Sequence, residues 1–250
     1  MRIKYIYLLM VFVLLPVIGC NQQTEDVDIE IIEESIEMDF EATGSLQGSV
    51  LYSGEVPERV ELPYKGNPEC VAEAHDTILS EELLVKDGKL QNAFVYIKEG
   101  LEDYEFPAPK TPVDIYNKGC IYLPHVVGAQ VDQPIKLINN DATFHNIHSF
   151  AKNQKGWNIG LPFQGMKQIK KFSEPEVAVK LKCDLHPWMI GYVGIVSHPY
   201  FFVTGEDGSF SMDNVPVGDY VLEVWHEKLG TKTIEVSIGA GSNQNVELNY

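Results

Sequence analysis

Residues 183–198 read CDLHPWMIGYVGIVSH, and the first seven letters are the most distinctive stretch of the chain. Cys183, His186 and Met189 follow one another at intervals of three residues. The flanking sequences, VAVKLK before the motif and IGYVGIV after it, are rich in the β-branched residues that favour strands. A strand that ends at Cys183, turns and re-enters the sheet after Met189 carries all three side chains in one tight loop. The stretch therefore predicts a β-hairpin with metal-binding side chains at its tip.

A fourth candidate ligand lies upstream of this loop. His145 occurs in NNDATFHNIHSF, directly after the apolar stretch QPIKLIN, so we expect it to reach the loop from a neighbouring strand. Two imidazoles and a thiolate make a trigonal set, and a thioether adds a weak axial contact. This mixture of soft and borderline donors serves both Cu(I) and Cu(II). We therefore predict one mononuclear copper site, with the ligands His145, Cys183, His186 and Met189.

Two other interpretations of these residues remain open. A tetrahedral zinc site would combine the HxxH pair His145 and His148 with the CxxH pair Cys183 and His186. On an extended strand, however, side chains at i and i+3 point to opposite faces, so His148 would need a backbone bulge to join His145. Alternatively, Cys183 and Met189 are ordinary core residues.

The combined pattern resembles that of the cupredoxins, closest to the amicyanin and plastocyanin type, which includes proteins of methylamine utilisation. The short loop of that type is CxxHP(F/W)MxGxV, and residues 183–193 match it as CDLHPWMIGYV. In that family the first ligand His is followed by Asn, as His145 is here. The resemblance spans roughly residues 110–198 and implies a Greek-key β-sandwich with a blue (type 1) copper site. It assigns the strong ligands to His145, Cys183 and His186 and the axial ligand to Met189.

Two further cysteines, Cys70 and Cys120, lie in the body of the chain. In an oxidising compartment their default fate is a disulfide. Such a bond would close a loop of about 50 residues and stabilise the fold by roughly 4 kcal/mol in the entropic model. Each cysteine also precedes a histidine by five positions, so a second metal site formed with His75 and His125 is the alternative.

The N-terminal sequence predicts export and a lipid anchor. Two basic residues precede an apolar run at about 6–18, which is too short for a membrane span and typical of an export signal. The run closes on VIGC, which resembles the bacterial lipobox. Residues 1–20 are therefore expected to be a lipoprotein signal peptide that ends at a lipidated Cys20. This places the protein on a bacterial membrane, facing the periplasm or the cell surface.

An acidic segment follows the predicted anchor. Residues 21–45 contain nine Asp or Glu and no Lys or Arg, and self-repulsion should keep them extended as a disordered tether. The whole chain has a formal net charge of -17, which argues against nucleic acid as a partner.

From Ser45 onward, short β-rich stretches alternate with Gly, Pro, Asn and Asp, a pattern that predicts an all-β sandwich protein. The best helix candidates, at 67–75 and 80–84, are long enough for one or two turns only. The sequence after residue 198 resembles the carboxypeptidase regulatory-like (transthyretin-like) β-sandwich. The residues that carry this second resemblance are Asp207, Gly208, Phe210, Pro216, Gly218 and Tyr220.

Residues 199–250 are too few for such a sandwich, and LQGSVLYSGEVP near the mature N-terminus resembles its first strand. We therefore predict that the N-terminal β segment, residues 46–109, joins 199–250 in one small sandwich. The cupredoxin domain, residues 110–198, would then be inserted between them. A simple tandem arrangement is the alternative.

These features predict a membrane-anchored electron carrier and not an enzyme, since a catalytic copper would need further histidine clusters and the chain has no HxH pair. The family resemblance suggests a redox protein such as a cytochrome c or a dehydrogenase as partner. The alternative function is copper binding or delivery, with the metal as cargo. The other histidines, His148, His198 and His226, are open to copper entry, a second site, partner contact or plain packing.

Overall fold

The computed structural model describes residues 40–74 and 76–250. The predicted signal peptide, the lipidation site Cys20, His75 and most of the acidic tether lie outside these ranges. Residues 42–250 form one compact unit. No helix in the described part of the chain is long and apolar enough to cross a membrane. Strands dominate this part, which confirms the predicted all-β class.

Within the described ranges the chain forms eighteen strands and two short helices. The helices are a 3-10 helix, Pro63–Gly66, and α1, Pro68–Glu73. In chain order the strands are β1 (Thr43–Leu51), β2 (Val85–Lys86), β3 (Lys89–Leu90), β4 (Phe94–Glu99), β5 (Val113–Asn117), β6 (Tyr122–Leu123), β7 (Val126–Gln130), β8 (Ile135–Asn139), β9 (His145–Phe150), β10 (Asn158–Leu161), β11 (Lys167–Lys170), β12 (Glu176–Lys182), β13 (Ile190–Val196), β14 (Phe201–Val203), β15 (Ser209–Pro216), β16 (Gly218–His226), β17 (Gly230–Ile238) and β18 (Asn243–Asn249).

The middle of the chain supplies both sheets of a first sandwich. One sheet has the order β10-β9-β12-β13-β7 and the other the order β11-β8-β5-β6. The sequence of β8 shows why these strands form a sandwich. Ile135 and Leu137 are buried while Lys136 between them is not, which is the alternation expected when one face of a sheet packs on a core. Ile147 of β9 and Leu181 of β12 join the same core from the facing sheet.

The two ends of the chain build a second sandwich together. Strand β1 pairs with β15 and β18, and β4 pairs with β14 and β16, so each of its sheets combines strands from before and after the first sandwich. Leu46, Val95 and Leu222 lie in its separate core. In the described chain, the strands of residues 113–196 are therefore inserted between the two halves of the second sandwich.

Two expected boundaries differ from the structure. Strand β1 already begins at Thr43, which pairs with Pro216, so the tether expected for residues 21–45 ends before it. The segment 46–109 is also divided between the sandwiches. Tyr64 and Cys70 are buried in the core of the first sandwich, because the disulfide to Cys120 holds this stretch against it.

Phe94 of the second sandwich packs on two glycines of the first sandwich. Gly128 of β7 and Gly194 of β13 are paired in register, and the ring of Phe94 from β4 lies over both. A Cβ atom at Gly194 would meet that ring at 2.5 Å, and one at Gly128 would meet it at 2.8 Å. The absence of a side chain at these positions therefore permits the close approach of the two sheets.

The variant Gly194→Ala should lower the free energy of unfolding by about 1–3 kcal/mol, because its methyl group must displace the Phe94 ring. Denaturant titration measures this loss. Gly66→Ala is the matched control, since a Cβ atom there meets nothing within 4 Å. Equal stability of the two variants would contradict the proposed contact.

Candidate metal centre

The motif CDLHPWM forms the tight connection between β12 and β13. Lys182 pairs with Ile190 across the hairpin, and the turn beyond them closes through backbone hydrogen bonds. The N–H of Cys183 donates to the carbonyl of Met189 at 3.2 Å, and the N–H of Met189 donates to the carbonyl of His186 at 2.8 Å. These bonds fold three sequence-local side chains to one end of the sandwich. Cys183 and Met189 are fully buried, and His186 is 3% exposed.

His145 meets this loop because its strand lies beside β12. It is the first residue of β9, whose His148 pairs with Lys182. The Nδ1 atoms of His145 and His186 are 3.0 Å apart, and Nδ1 of His186 is 3.6 Å from Sγ of Cys183. His145 has no exposed surface. The structure thus brings three of the four predicted ligands into one buried cluster, with Met189 in the same core.

The spacing of these donors fits a single ion. Nitrogen and thiolate ligands lie about 2.0–2.3 Å from a metal of this class, so two donors that share an ion are roughly 3–4 Å apart. The measured separations of 3.0 and 3.6 Å fall within that range. Two imidazoles and one thiolate at these distances are the donor set expected for copper.

A buried carboxylate orients His145 for ligation. Asp141 is fully buried, and its Oδ2 lies 3.0 Å from Nε2 of His145. An ionised carboxylate can only accept, so Nε2 carries a proton, and in the neutral ring Nδ1 is the atom that offers a lone pair toward His186 and Cys183. This is the tautomer that a metal ligand requires.

The surroundings of Cys183 favour its thiolate. Burial raises the pKa of the thiol, but hydrogen bonds from His145 and from the backbone N–H groups of Asn146, Leu185 and His186 outweigh that effect and lower it. A buried thiolate needs a positive charge beside it. The protonated form of His145 is favoured beside it: burial lowers the pKa of this ring, and the bonds to Asp141 and Cys183 raise it by more.

Asn146 ties the two ligand segments together. Its Oδ1 accepts from the backbone N–H of Asp184 at 2.8 Å and lies 3.2 Å from Sγ of Cys183. Its Nδ2 donates to the carboxylate of Asp184 at 2.9 Å and to Asn158 at 2.7 Å. The amide thereby holds His145 and Cys183 in register, which gives a physical reason for an Asn after the first ligand.

His148 lies outside the cluster. Its Nδ1 is 3.1 Å from a carboxylate oxygen of Asp184, and its ring stacks on Phe150 with centroids 4.3 Å apart. The strand has no bulge that would turn His148 toward His145, so the HxxH pair does not converge as the zinc interpretation needs.

Cys70 and Cys120 are joined in a disulfide. Both sulfurs are thereby used, and His125 contacts Glu227 instead, so the alternative site of two cysteines and two histidines is not formed in the described residues. His198 and His226 are buried in contacts of the second sandwich: Nε2 of His198 bonds to the carbonyl of Ile97 at 2.8 Å.

Sequence reasoning missed two neighbours of the ligands. Asp141 precedes His145 by four residues in NNDATFH, and only that spacing hinted at a partner. The Cys70–Cys120 disulfide lies directly against the ligand rings, with Sγ of Cys120 3.9 Å from Nε2 of His145. No local pattern connects residue 70 with this site.

No protein-family model and no curated protein matches the chain. Among solved structures it is similar to a purple cupredoxin from Nitrosopumilus maritimus, with 27% identity over 33% of this chain and 98% of that one, at a TM-score of 0.29. A Cu(I) form of an amicyanin variant is 20% identical over 34% of this chain and 81% of that one (TM-score 0.30). A copper-containing nitrite reductase from Thermus scotoductus is 15% identical over 58% of this chain and 28% of that one (TM-score 0.32). These scores are too low to carry a function, which rests on the geometry above.

Replacing Asp141 by Asn should weaken copper binding by about 10–100-fold, because the amide no longer fixes the proton of His145 on Nε2. Titration against a competing chelator measures the affinity. Asp114→Asn is the control, since that carboxylate lies on the surface in an ion pair with Lys136. Equal copper affinities of the two variants would show that Asp141 does not support metal binding.

The stability of the fold should fall as the pH is lowered from about 6.5 to about 4. Burial lowers the pKa of His198 from 6.5 to about 4, although the Ile97 carbonyl and Glu102 oppose the shift. The unfolded chain takes up this proton near pH 6.5, so protonation favours unfolding until the folded ring also titrates. The full shift corresponds to about 3 kcal/mol. Between pH 6.5 and pH 4, the free energy of unfolding should fall less steeply with decreasing pH in His198→Gln than in the wild type. Identical slopes for the two proteins would refute the role of His198.

Proposed function

We propose that this protein is an exported, lipid-anchored blue (type 1) copper protein that carries single electrons between redox partners. The observation that supports it most is the convergence of Nδ1 of His145, Nδ1 of His186 and Sγ of Cys183 in one buried cluster. Met189, on the same loop, is the axial ligand in this proposal. Bound there, copper supplies one-electron exchange between Cu(I) and Cu(II).

The residues around the cluster support a carrier. Asp141 holds His145, and Asn146 holds the Cys183 loop through the backbone N–H of Asp184, so both ligand segments are fixed by bonds outside the donor set. His145, Cys183 and Met189 have no exposed surface, which excludes water from the donor set. Rigid donors in a dry pocket keep reorganisation small, and they favour an ion that stays bound over one that is delivered as cargo. They also leave no open position for a substrate, and we propose no enzymatic activity.

Two exposed apolar side chains support a docking surface beside the site. Phe144 precedes His145 and is 42% exposed, and Leu185 precedes His186 and is 56% exposed. Large exposed apolar residues next to buried ligands suit a small, transient contact. The net charge of -17 favours a partner with a basic face, such as a cytochrome c, although a dehydrogenase would serve the same role.

The proposed location rests on the leader sequence. The export signal and the lipobox-like VIGC ending at Cys20 support attachment to a bacterial membrane, with the acidic residues after it as a spacer. The disulfide between Cys70 and Cys120 fits an oxidising compartment outside the cytoplasm.

Loading with Cu(II) should give an intense visible charge-transfer band and narrow hyperfine splitting in the electron paramagnetic resonance spectrum, because a thiolate is a ligand. Cys183→Ser should abolish the colour. Met189→Gln should retain copper and lower the reduction potential, since an amide oxygen favours Cu(II) more than a thioether does.

The matched control is His148→Ala, which removes the other histidine of the HxxH pair and should leave the blue spectrum intact. A protein that stays colourless and does not bind copper would refute the proposal. Loss of colour in His148→Ala, with retention in Cys183→Ser, would overturn the ligand assignment.

A further inference from the structure

A short segment that precedes the strands of the first sandwich in the chain packs beside the ligand histidines. Residues 63–74, here called the cap, comprise the 3-10 helix and α1. Glu73 of α1 accepts a hydrogen bond from the backbone N–H of Ala142 at 2.8 Å, and Glu69 accepts one from the hydroxyl of Thr143. The disulfide from Cys70 completes the attachment. The cap thus sits on the turn that leads into His145.

The disulfide of the cap lies against the donor set itself. Both of its sulfurs are within 4.8 Å of a ring nitrogen of His186, and all three residues are buried. Sγ of Cys120 is also 3.9 Å from Nε2 of His145. On its other side the backbone carbonyl of Cys120 accepts from the indole of Trp188 at 3.1 Å. Two sulfurs and an imidazole are therefore held together beside the first cluster.

We propose that Cys70 and Cys120, once reduced, form with His186 a second site, which binds Cu(I) and through which copper enters the protein. The proposal extends the function proposed above and depends on the first cluster being a copper site. Two thiolates and an imidazole are soft and borderline donors that suit Cu(I). The disulfide form has no thiolate to offer, so the site exists only after reduction.

The chemistry needs a dithiol reductant. Thiol–disulfide exchange breaks the S–S bond of Cys70 and Cys120, the dithiol is oxidised to its own disulfide, and two electrons and two protons pass to the protein sulfurs. Binding of Cu(I) then forms two Cu–S bonds and releases both protons. The oxidation state of copper does not change in this step.

The shared histidine makes transfer to the first cluster a short step. His186 belongs to both groups of donors. His186 would serve as a ligand at both sites, while the sulfurs of Cys70 and Cys120 at the entry site would give way to His145 and Cys183 at the first cluster. An exported thiol oxidant would then form the disulfide again, and the entry site would lose its thiolate ligands after the copper has left it.

The test uses the protein with Cys183→Ser, which silences the first cluster, after treatment with a phosphine reductant and its removal under nitrogen. Titration with Cu(I) against a chromogenic chelator should show stoichiometric uptake together with near-ultraviolet thiolate absorption. The unreduced variant, and the reduced double variant Cys183→Ser/Cys120→Ser, should lack that uptake. Equal binding by the single and double variants would overturn the proposal. So would failure of the folded protein to release thiols under the reductant.

A second measurement needs no substitution. The metal-free wild-type protein should acquire Cu(I) faster when it is reduced than when Cys70 and Cys120 are joined, as read by the blue colour after reoxidation. Equal loading rates would rule out the entry role. The Cu(II) spectrum of the oxidised wild type reports on the first cluster alone, so failure of the proposed function is recognised separately.

Discussion

The carboxylate of Asp141 is the constraint on which the site depends. It is fully buried and accepts from the N–H groups of Gly119 and Cys120, from the amide of Asn117 and from the imidazole of His145. A buried charge that lost these donors would cost several kcal/mol, so the chain segments that carry them must converge. The same group therefore sets the tautomer of His145 and fixes Cys120 beside it. Ligand orientation and placement of the disulfide follow from one interaction.

The charges around the cluster explain why a cation suits it. Asp141 and Cys183 both have lowered pKa values, the first through His145 and backbone donors that outweigh burial. The surroundings thus favour the negative form of both groups, and both are fully buried. Their field favours the more highly charged state of a bound metal ion and keeps its reduction potential lower than two neutral residues would. Burial, with the neighbouring charge of His145, lowers the pKa of His186 and keeps that ring in its neutral, ligating form.

Local pattern was enough to predict part of this site. The loop Cys183–Met189 folds through bonds between near neighbours, and short β-rich stretches separated by Gly, Pro, Asn and Asp predicted a sandwich, so both were accessible from the sequence. The approach of Asp141 to Cys120 and of Cys70 to His186 depends on pairings between distant segments, which leave no periodic signal. Those contacts could be found only in the folded chain.

The second sandwich holds both ends of the longer segment, residues 52–84, that contains the cap. Strand β1 ends at Leu51, which pairs with Lys89 of β3, and β3 pairs with β2, so residues 52–84 leave and rejoin one sheet. Among the described residues of this excursion, Cys70 fastens the middle to the first sandwich through the disulfide, and Glu69 and Glu73 do so through hydrogen bonds. Because its ends are fixed close together, the entropy gained by releasing the middle is small compared with that of a free chain end. If the disulfide were broken, the cap would therefore stay near its place on the first sandwich, and the insertion of one sandwich within the other provides this attachment on both sides.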